Sequence, residues 1–294
     1  VASPELVTAM VGRPIVQVER TAAAPGPLRL DVDGLSDSGG AVKDVRLQVH
    51  AGEIVGVYGL VGSGRTEMLE CLFGLRPQAA GSVNIDGQPT DIRCTSDAKR
   101  AGLALVPEDR LRSGICAIRP IRENITLAAL RKWSVGPILK TAEITAAAEQ
   151  QANELGVVCR GIDQSVGTLS GGNQQKTVLG RCLMTKPEVL LLDDPTRGVD
   201  IGAKEEIHRL LRKLAQEGQA ILMVSSDLPE VMEYSDRIVV FRRGKFVCVF
   251  VSAESSATDI AHVALATGPT ETNCLSPSST EAQPTTGMPK TRSH

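Results

Sequence analysis

The stretch GLVGSGRT, residues 59–66, has the residue types and the spacing of a loop that binds phosphate groups. It follows the pattern G-x-x-x-x-G-K-[ST], except that Arg65 stands where the lysine belongs. In such a loop the backbone N–H groups converge on phosphate oxygens, and the hydroxyl of Thr66 can bind Mg²⁺. The candidate phosphate-binding residues are Gly59, Gly62, Ser63, Gly64, Arg65 and Thr66. The alternative is an ordinary glycine turn between a strand and a helix.

Two adjacent carboxylates come directly after the apolar run VLLL, residues 189–192. This run predicts a buried strand that ends at Asp193, and an acidic residue at such a strand end can hold Mg²⁺ beside Thr66. Asp194 would then face the attacking water as a general base or a polarising group. The alternative is that both aspartates cap the turn that follows.

A second candidate anion site lies in LSGGNQQK, residues 169–176. Ser170, Gly171 and Gly172 stand at a predicted helix start, and the N-terminus of a helix attracts anions through its free N–H groups and its dipole. The alternative is a plain helix cap, in which the Ser170 hydroxyl satisfies those N–H groups. Together with the first loop, this segment predicts two phosphate-binding ends in one chain.

These candidate residues need a scaffold in which strand ends and helix starts meet. The segments GEIVGVYG, PEVLLLDD and AILMVSS are continuous apolar strands, and RTEMLECLFGL is a helix that follows the first of them. The segment AKEEIHRLLRKLAQEG places its apolar residues on one helical face and stops at Gly218. Strands that alternate with helices predict an α/β fold with a parallel sheet.

Other segments predict additions to that sheet. LRLDVDGL and VKDVRLQVH alternate apolar and polar residues, as half-buried antiparallel strands do. Residues 118–160 are mostly helix formers, and RIVVFRRGKFVCVFV predicts a closing hairpin that turns near Gly244. We expect a linker over residues 1–27, one domain over residues 28–267, and a disordered tail over residues 268–294, where proline, serine and threonine dominate.

The composition argues against several other classes of protein. With 32 Lys and Arg against 34 Asp and Glu, the net charge of −2 offers no general attraction for nucleic acid. Aromatic residues make up 2% of the chain, which leaves few platforms for stacking bases. The seven cysteines include no C-x-x-C pair and do not predict a zinc site. No apolar run approaches the roughly 18 residues that a membrane-spanning helix needs.

The motifs, in this order, resemble those of the ATP-binding cassette (ABC) transporter ATPases over about residues 28–267. The variants VPEDRLRSG, LSGGNQQK, DDPTRGVDIGAK and VSSDLPEV are similar to the second cassette of simple-sugar importers of the ribose, xylose and galactose type. ELVTAMVGR is similar to the tail of a first cassette, so we expect a C-terminal half. The resemblance implies a P-loop NTPase (RecA-like) core, an N-terminal antiparallel β subdomain, a helical subdomain over about residues 115–175, and ATP and Mg²⁺ as cofactors.

The resemblance also implies roles for individual residues. Arg65 takes the place of the Walker A lysine, as is usual in second cassettes of this group. Glu108 takes the place of the Q-loop glutamine, and Asp200 is the D-loop aspartate. Ser226 takes the place of the switch histidine, and Asp194 stands where even second cassettes usually keep glutamate.

These departures bear on catalysis. Shortening glutamate to Asp194 withdraws the carboxylate by roughly 1.5 Å, and an error of about 1 Å can lower a rate about a hundredfold. The missing histidine removes a group that would contact the γ-phosphate. Where many cassettes stack an aromatic residue on adenine, Val42 or Lys43 stands instead. We therefore expect this site to bind Mg-ATP and to cleave it slowly.

Cassettes of this family close as head-to-tail pairs, with each ATP between the P-loop of one cassette and the LSGG of the other. The resemblance therefore implies that Ser170, Gly171 and Gly172 complete the site of a partner cassette. It further implies membrane permease subunits as partners, an indirect link to a sugar-binding protein, and no nucleic acid. The implied location is cytoplasmic, on the inner face of the cell membrane.

Other functions remain as alternatives. A non-catalytic, ATP-binding regulatory cassette would fit the substituted catalytic positions. A soluble cassette ATPase that acts on DNA or ribosomes usually carries basic insertions or coiled-coil arms, and neither occurs in this sequence. A P-loop kinase is disfavoured because such enzymes have no use for LSGG.

Overall fold

The computed structural model describes residues 26–252 and 255–266 of the chain. Most of the predicted linker, residues 1–25, and the predicted tail, residues 268–294, lie outside the described residues. The strands are β1 (Leu28–Asp37), β2 (Val45–His50), β3 (Ile54–Tyr58), β4 (Gln78–Ile85), β5 (Gln88–Pro89), β6 (Leu103–Val106), β7 (Ser134–Val135), β8 (Ile138–Leu139), β9 (Val189–Asp193), β10 (Ala220–Ser225), β11 (Arg237–Arg242) and β12 (Lys245–Val251).

Six of these strands form a sheet with the order β12-β11-β3-β10-β9-β6. The strands from β11 to β6 run parallel, and β12 pairs with β11 in the antiparallel direction. The predicted parallel sheet and the predicted hairpin at Gly244 are thereby confirmed. Because the carboxyl ends of parallel strands lie at one edge of a sheet, the loops after β3, β6, β9 and β10 meet there.

A second sheet is antiparallel, with the order β2-β1-β4-β5. Val32 of β1 lies opposite Leu47 of β2 on one side and Val83 of β4 on the other. All three side chains are buried. The alternation of apolar and polar residues in β1 and β2 therefore reflects one face on the core and one face toward solvent, as expected.

The helices pack around these sheets. They are α1 (Arg65–Leu72), α2 (Thr95–Arg100), α3 (Ile121–Thr126), α4 (Thr141–Glu154), α5 (Gly171–Leu183), α6 (Ile201–Gln216), α7 (Leu228–Tyr234) and α8 (Ala257–Leu265), with a π-helical turn at Arg110–Gly114 and 3₁₀ segments at Leu127–Trp133 and Val166–Thr168. Within the described residues, no helix is long and apolar enough to cross a bilayer.

The middle of the chain is helical, as predicted, but not continuously so. After α3 the chain tightens into a 3₁₀ segment and then forms a two-stranded hairpin of β7 and β8. Gly136, with φ of 60°, and Pro137 lie in the turn of that hairpin. A proline cannot donate a helical hydrogen bond, so helix-forming neighbours do not extend the helix through this turn.

Both faces of the central sheet are covered, which explains the uninterrupted apolar runs. On β9, Val189 and Leu191 join the core that faces the antiparallel sheet and α1. Leu190 and Leu192 join the core on the opposite face, with residues of α3, α5 and α6. A strand that is buried on both faces has no solvent side and loses the polar alternation of β1.

Candidate functional site

The glycine loop connects β3 to α1 as predicted. Gly64, immediately before α1, has φ of 103°, and a Cβ on this residue would lie 2.4 Å from the backbone O of Ala41. Glycine is therefore required both for the left-handed backbone and for the close approach of residue 41. The hydroxyl of Ser63 is buried and has no hydrogen-bond partner among the described residues. Such an orphaned polar atom fits a loop that receives oxygen atoms from a bound phosphate.

Arg65, the replacement for lysine, is held inside the protein. Its Nη1 donates a hydrogen bond of 2.6 Å to the backbone O of Ser225, at the carboxyl end of β10. Arg65 is only 7% exposed. Burial lowers the pKa of the guanidinium, and the nearby carboxylates of Asp194 and Asp193 oppose that shift. Part of the hydrogen-bonding capacity of this cation is thus already used by the sheet.

Thr66 and Asp193, the predicted Mg²⁺ ligands, lie together. Thr66 Oγ1 donates to Asp193 Oδ1 over 3.2 Å. Burial raises the pKa of Asp193 to about 6, although the bond from Thr66 acts in the opposite direction. Mg²⁺ is usually held by one or two carboxylates together with substrate phosphates. The hydroxyl and carboxylate oxygens fit such an ion, and a cation here would offset the cost of a buried charge on Asp193.

Asp194 and Ser226, two predicted catalytic residues, are in direct contact. Asp194 Oδ1 accepts a bond of 2.9 Å from the backbone N of Ser226, and the Ser226 hydroxyl lies 3.2 and 3.3 Å from the two carboxylate oxygens. Asp194 also has a positive φ of 41°. The carboxylate that would act on water is therefore anchored to the end of β10.

Glu108 lies just beyond β6 and forms an ion pair with Arg197. The Arg197 side chain is 62% exposed. Arg197 stands in the loop between β9 and α6, so the ion pair connects two loops at the same edge of the sheet. The sequence motif DDPTRGVD contains this arginine, but only the folded chain shows its contact with Glu108.

A cavity of about 610 Å³ joins these loops. Its walls are formed by Val61, Gly62, Ser63, Gly64, Arg65, Thr66, Glu67, Glu108, Asp194, Thr196, Arg197, Gly198, Lys204, Ser226, Asp227 and Glu230. Most of the residues predicted to bind or cleave a nucleotide thus surround one space. Seven side chains in this wall were not predicted from the sequence, those of Val61, Glu67, Thr196, Arg197, Lys204, Asp227 and Glu230.

The Glu230 side chain forms hydrogen bonds to residues of three surrounding segments. Its Oε1 accepts from the Thr196 hydroxyl and lies 2.7 Å from His208 Nε2, and its Oε2 accepts from the Ser225 hydroxyl. Burial alone would raise the pKa of Glu230, but the bonds from His208, Ser225 and Thr196 lower it to about 2. A carboxylate that accepts three such bonds is an anchor and not a free base. It connects α7 to the loop after β9, to β10 and to α6.

The LSGG segment forms a capped helix start. The Ser170 hydroxyl accepts from the backbone N of Asn173 at 3.5 Å and from Asn173 Nδ2 at 2.9 Å. Ser170 is exposed and Gly171 is half-buried. A Cβ on Gly172 would lie 2.5 Å from the Cβ of Ala203, so the second glycine lets α5 pack closely on α6. The structure places this tip outside the wall of the cavity.

Two further predicted positions have different outcomes. Asp200 caps α6, because its Oδ1 accepts a bond of 2.9 Å from the backbone N of Ala203. Val42 is 1% exposed and belongs to the core between the sheets, so the expectation that it could stand against adenine is wrong. Lys43 is exposed, and its backbone N donates to the O of Gly244 at 2.7 Å.

Comparison with known proteins gives a consistent result. A family model described as ABC transporter matches residues 42–197. A ribose import ATP-binding protein of Agrobacterium fabrum is 42% identical over 261 residues, which cover 88% of this chain and 51% of the relative. A xylose import ATP-binding protein of Escherichia coli K12 is 44% identical over 230 residues, 76% of this chain and 44% of the relative. The chain spans about half the length of the curated relatives it matches.

Solved structures share the fold. A nucleotide-free ATP-binding cassette of an ABC transporter has a TM-score of 0.71 at 19% identity, over 81% of this chain and 99% of the other. A dimeric ATP-binding cassette with ADP and Pi has a TM-score of 0.65 at 25% identity, over 76% and 98% of the two chains. The predicted α/β P-loop NTPase fold is confirmed. From its family match and its 42% identity to a ribose import ATP-binding protein, this chain belongs to the ABC transporter family.

Proposed function

We propose that this chain is an ATP-binding cassette that powers import of a simple sugar and supplies its LSGG tip to ATP held by a partner cassette. The relatives named as ribose and xylose import ATP-binding proteins support the substrate class. Its own P-loop site binds Mg-ATP and turns it over slowly. The partners are a second cassette and membrane permease subunits, with a sugar-binding protein acting indirectly, at the cytoplasmic face of the membrane.

One contrast in the structure carries this proposal. The Ser170 tip is exposed and capped, whereas the catalytic positions of the chain's own site are occupied by internal contacts. Arg65 donates to Ser225, and Asp194 accepts from Ser226. A tip that faces outward can serve a nucleotide on another molecule, whereas a constrained local site favours binding over cleavage.

Different residues of the chain's own site bind different parts of Mg-ATP. Backbone N–H groups of the glycine loop and the orphaned Ser63 hydroxyl face the phosphates. Thr66 and Asp193 offer oxygen ligands to Mg²⁺, which would neutralise charge on the phosphates. Asp194 is the remaining carboxylate for orienting a water, but its bond to the backbone of Ser226 restricts how far it can move.

The first test is ATP turnover by the chain alone. We expect slow turnover that changes less than about twofold in Asp194→Asn, because this carboxylate contributes little in its anchored position. ATP binding by the same variant, measured with a fluorescent analogue, controls for an intact loop. Robust turnover that disappears in Asp194→Asn would show a fully competent local site and would contradict the proposal of a slow one.

The second test concerns the partner site. In the full-length gene product, Gly171→Asp should lower ATP hydrolysis by more than about a hundredfold, because a carboxylate near a γ-phosphate repels it by several kcal/mol. Gly161→Asp is the matched control, since Gly161 is exposed and an added Cβ there meets no atom within 4 Å. Equal activity of the two variants would contradict the proposed role of the tip.

A non-catalytic regulatory cassette is the second candidate function. The observation that favours it is the buried bond between Arg65 and Ser225, which uses the cation that would otherwise contact the phosphates. ATP binding without hydrolysis in the full-length gene product, unaffected by Gly171→Asp, would support this function over the first.

A further inference from the structure

Arg110 connects the helix that carries the LSGG tip to a loop that lines the chain's own cavity. Its Nη1 donates to the backbone O of Arg197 at 2.7 Å, and its Nη2 donates to the backbone O of Gly198 at 2.9 Å. Its Nε donates to Oε1 of Gln174, in the first turn of α5, at 3.3 Å. One side chain thus holds the loop before α6 and the helix that begins with the LSGG glycines.

The same guanidinium lies directly beside the LSGG tip. A Cβ on Gly171 would lie 2.8 Å from Arg110 Nη2 and 3.2 Å from the backbone O of Gly198. Gln174 extends the contact, because its Nε2 donates to the backbone O of Leu169 at 3.2 Å. Arg110 therefore fills the space between the tip and the loop, and it bonds to the loop and to Gln174 in the first turn of α5.

The backbone around Arg110 is itself held in place. Asp109 caps the π-helical turn at Arg110–Gly114. Its Oδ1 accepts hydrogen bonds of 3.0 Å from the backbone N of Leu111 and from the backbone N of Arg112. Glu108 forms its ion pair with Arg197. The segment 108–110 therefore contacts the loop at residues 197–198 twice, once through an ion pair and once through the fork of a guanidinium.

We propose that Arg110 is a positioning residue that sets the distance between the LSGG tip and the loop at residues 196–200, which lines the chain's own cavity, so that the tip is correctly placed when it reaches the partner's ATP. This inference rests on the proposed function. A guanidinium that bonds to two successive carbonyls defines distance and orientation, whereas the ammonium of lysine acts as a point charge. Arg110 also adds positive charge beside the N-terminus of α5, which increases its attraction for a phosphate.

Amide hydrogen exchange on the chain tests the positioning directly. In Arg110→Gln, we expect exchange in residues 169–175 and 197–203 to become at least about tenfold faster, because both segments lose the side chain that connects them. Arg110→Lys should also accelerate both segments, since the charge remains but the fork is lost. Arg112→Gln is the matched control, because Arg112 is an exposed arginine in the same turn. Unchanged exchange in both segments of Arg110→Gln would overturn the inference.

ATP hydrolysis by the full-length gene product tests the consequence for function. We expect Arg110→Gln and Arg110→Lys to lower kcat about a hundredfold, the effect of displacing catalytic groups by about 1 Å. KM for ATP should stay within about twofold, because the loop that holds the nucleotide is untouched. Full activity of Arg110→Lys would show that charge alone suffices, and the inference would then be wrong.

Gly171→Asp separates failure of the inference from failure of the proposed function. Loss of hydrolysis in Gly171→Asp together with normal hydrolysis in Arg110→Gln would overturn the role of Arg110 and leave the role of the tip intact. Normal hydrolysis in Gly171→Asp would remove the proposed function, and the inference about Arg110 with it. Loss of hydrolysis in Gly171→Asp and in both Arg110 variants, but not in Arg112→Gln, would support both.

Discussion

A contact in the folded chain changes the role that the residue type alone would predict for Arg65. Arginine in place of lysine keeps a positive charge in the glycine loop, and from the sequence that charge is available to phosphate. In the structure, the guanidinium bonds to the backbone O of Ser225, a residue with no exposed surface. Arg65 therefore stabilises the end of β10 as well as the loop.

Arg65→Met tests that contribution to stability. The change leaves the buried carbonyl of Ser225 without this donor, so we expect the free energy of unfolding to fall by about 1–3 kcal/mol. Urea denaturation of the nucleotide-free chain measures it. Arg112→Met serves as the control for an exposed arginine and should change stability by less than about 0.5 kcal/mol. Equal stability of the two variants would show that the bond to Ser225 contributes nothing.

The first turns of α5 and α6 are in contact and are built alike. Each begins with a side-chain cap, from Ser170 in α5 and from Asp200 in α6. The two first turns touch where Gly172 faces Ala203, with room for no additional Cβ. The LSGG tip is therefore held by close packing of the Gly172 backbone against the side chain of Ala203, and the second glycine has a structural role besides any contact with phosphate.

Gly172→Ala should destabilise this pairing. The new methyl group would lie 2.5 Å from the Cβ of Ala203, and overpacking of this kind costs about 1–3 kcal/mol. This cost exceeds the gain in helix propensity when alanine replaces glycine. Thermal unfolding measures the loss. Gly161→Ala, at a glycine where an added Cβ meets nothing within 4 Å, should have little effect. Adding Ala203→Gly to Gly172→Ala should restore stability, and failure to do so would place the strain elsewhere.

At the scale of the whole molecule, the antiparallel sheet must be held against the parallel one. Arg237 of β11 donates to Glu53 Oε1 at 2.8 Å and to the backbone O of Gln48 in β2 at 2.6 Å. Burial alone would raise the pKa of Glu53, but bonds from His50 and Arg237 lower it. Arg237 thus connects β11, an inner strand of the parallel sheet, to β2, an edge strand of the antiparallel sheet, and its largely buried ion pair with Glu53 holds the loop between β2 and β3.

Arg237→Met should loosen the contact between the two sheets. Removing one partner of a largely buried pair leaves the Glu53 charge uncompensated, and we expect a loss of about 2–4 kcal/mol in the free energy of unfolding. Arg46→Met is the matched control, because Arg46 of β2 is 57% exposed in its ion pair with Asp33 and should contribute less than about 1 kcal/mol. Urea denaturation of both variants measures the difference. Similar losses in the two would contradict a special role for Arg237.

Local patterns were sufficient for the elements that carry the site. The apolar runs of β3, β9 and β10, the glycines before α1 and the glycines at the start of α5 were identified from short-range patterns, and the structure confirms these elements. The turn between β7 and β8 was not identified. The hairpin of β7 and β8 interrupts a stretch of helix formers, and Val42 is a core residue in a cluster that combines residues of β1 and β2 with residues of β9, β10 and β11.

The sequence by itself determined the kind of fold, the position of the glycine loop, and the family, because these depend on residue types at fixed spacing along the chain. Only the tertiary structure decided what the key side chains do. The contacts of Arg65 with Ser225, of Glu108 with Arg197 and of Arg110 with the loop before α6 each join residues more than 80 positions apart. Such contacts arise when the carboxyl ends of separate strands meet at one edge of the sheet, and no local pattern encodes them.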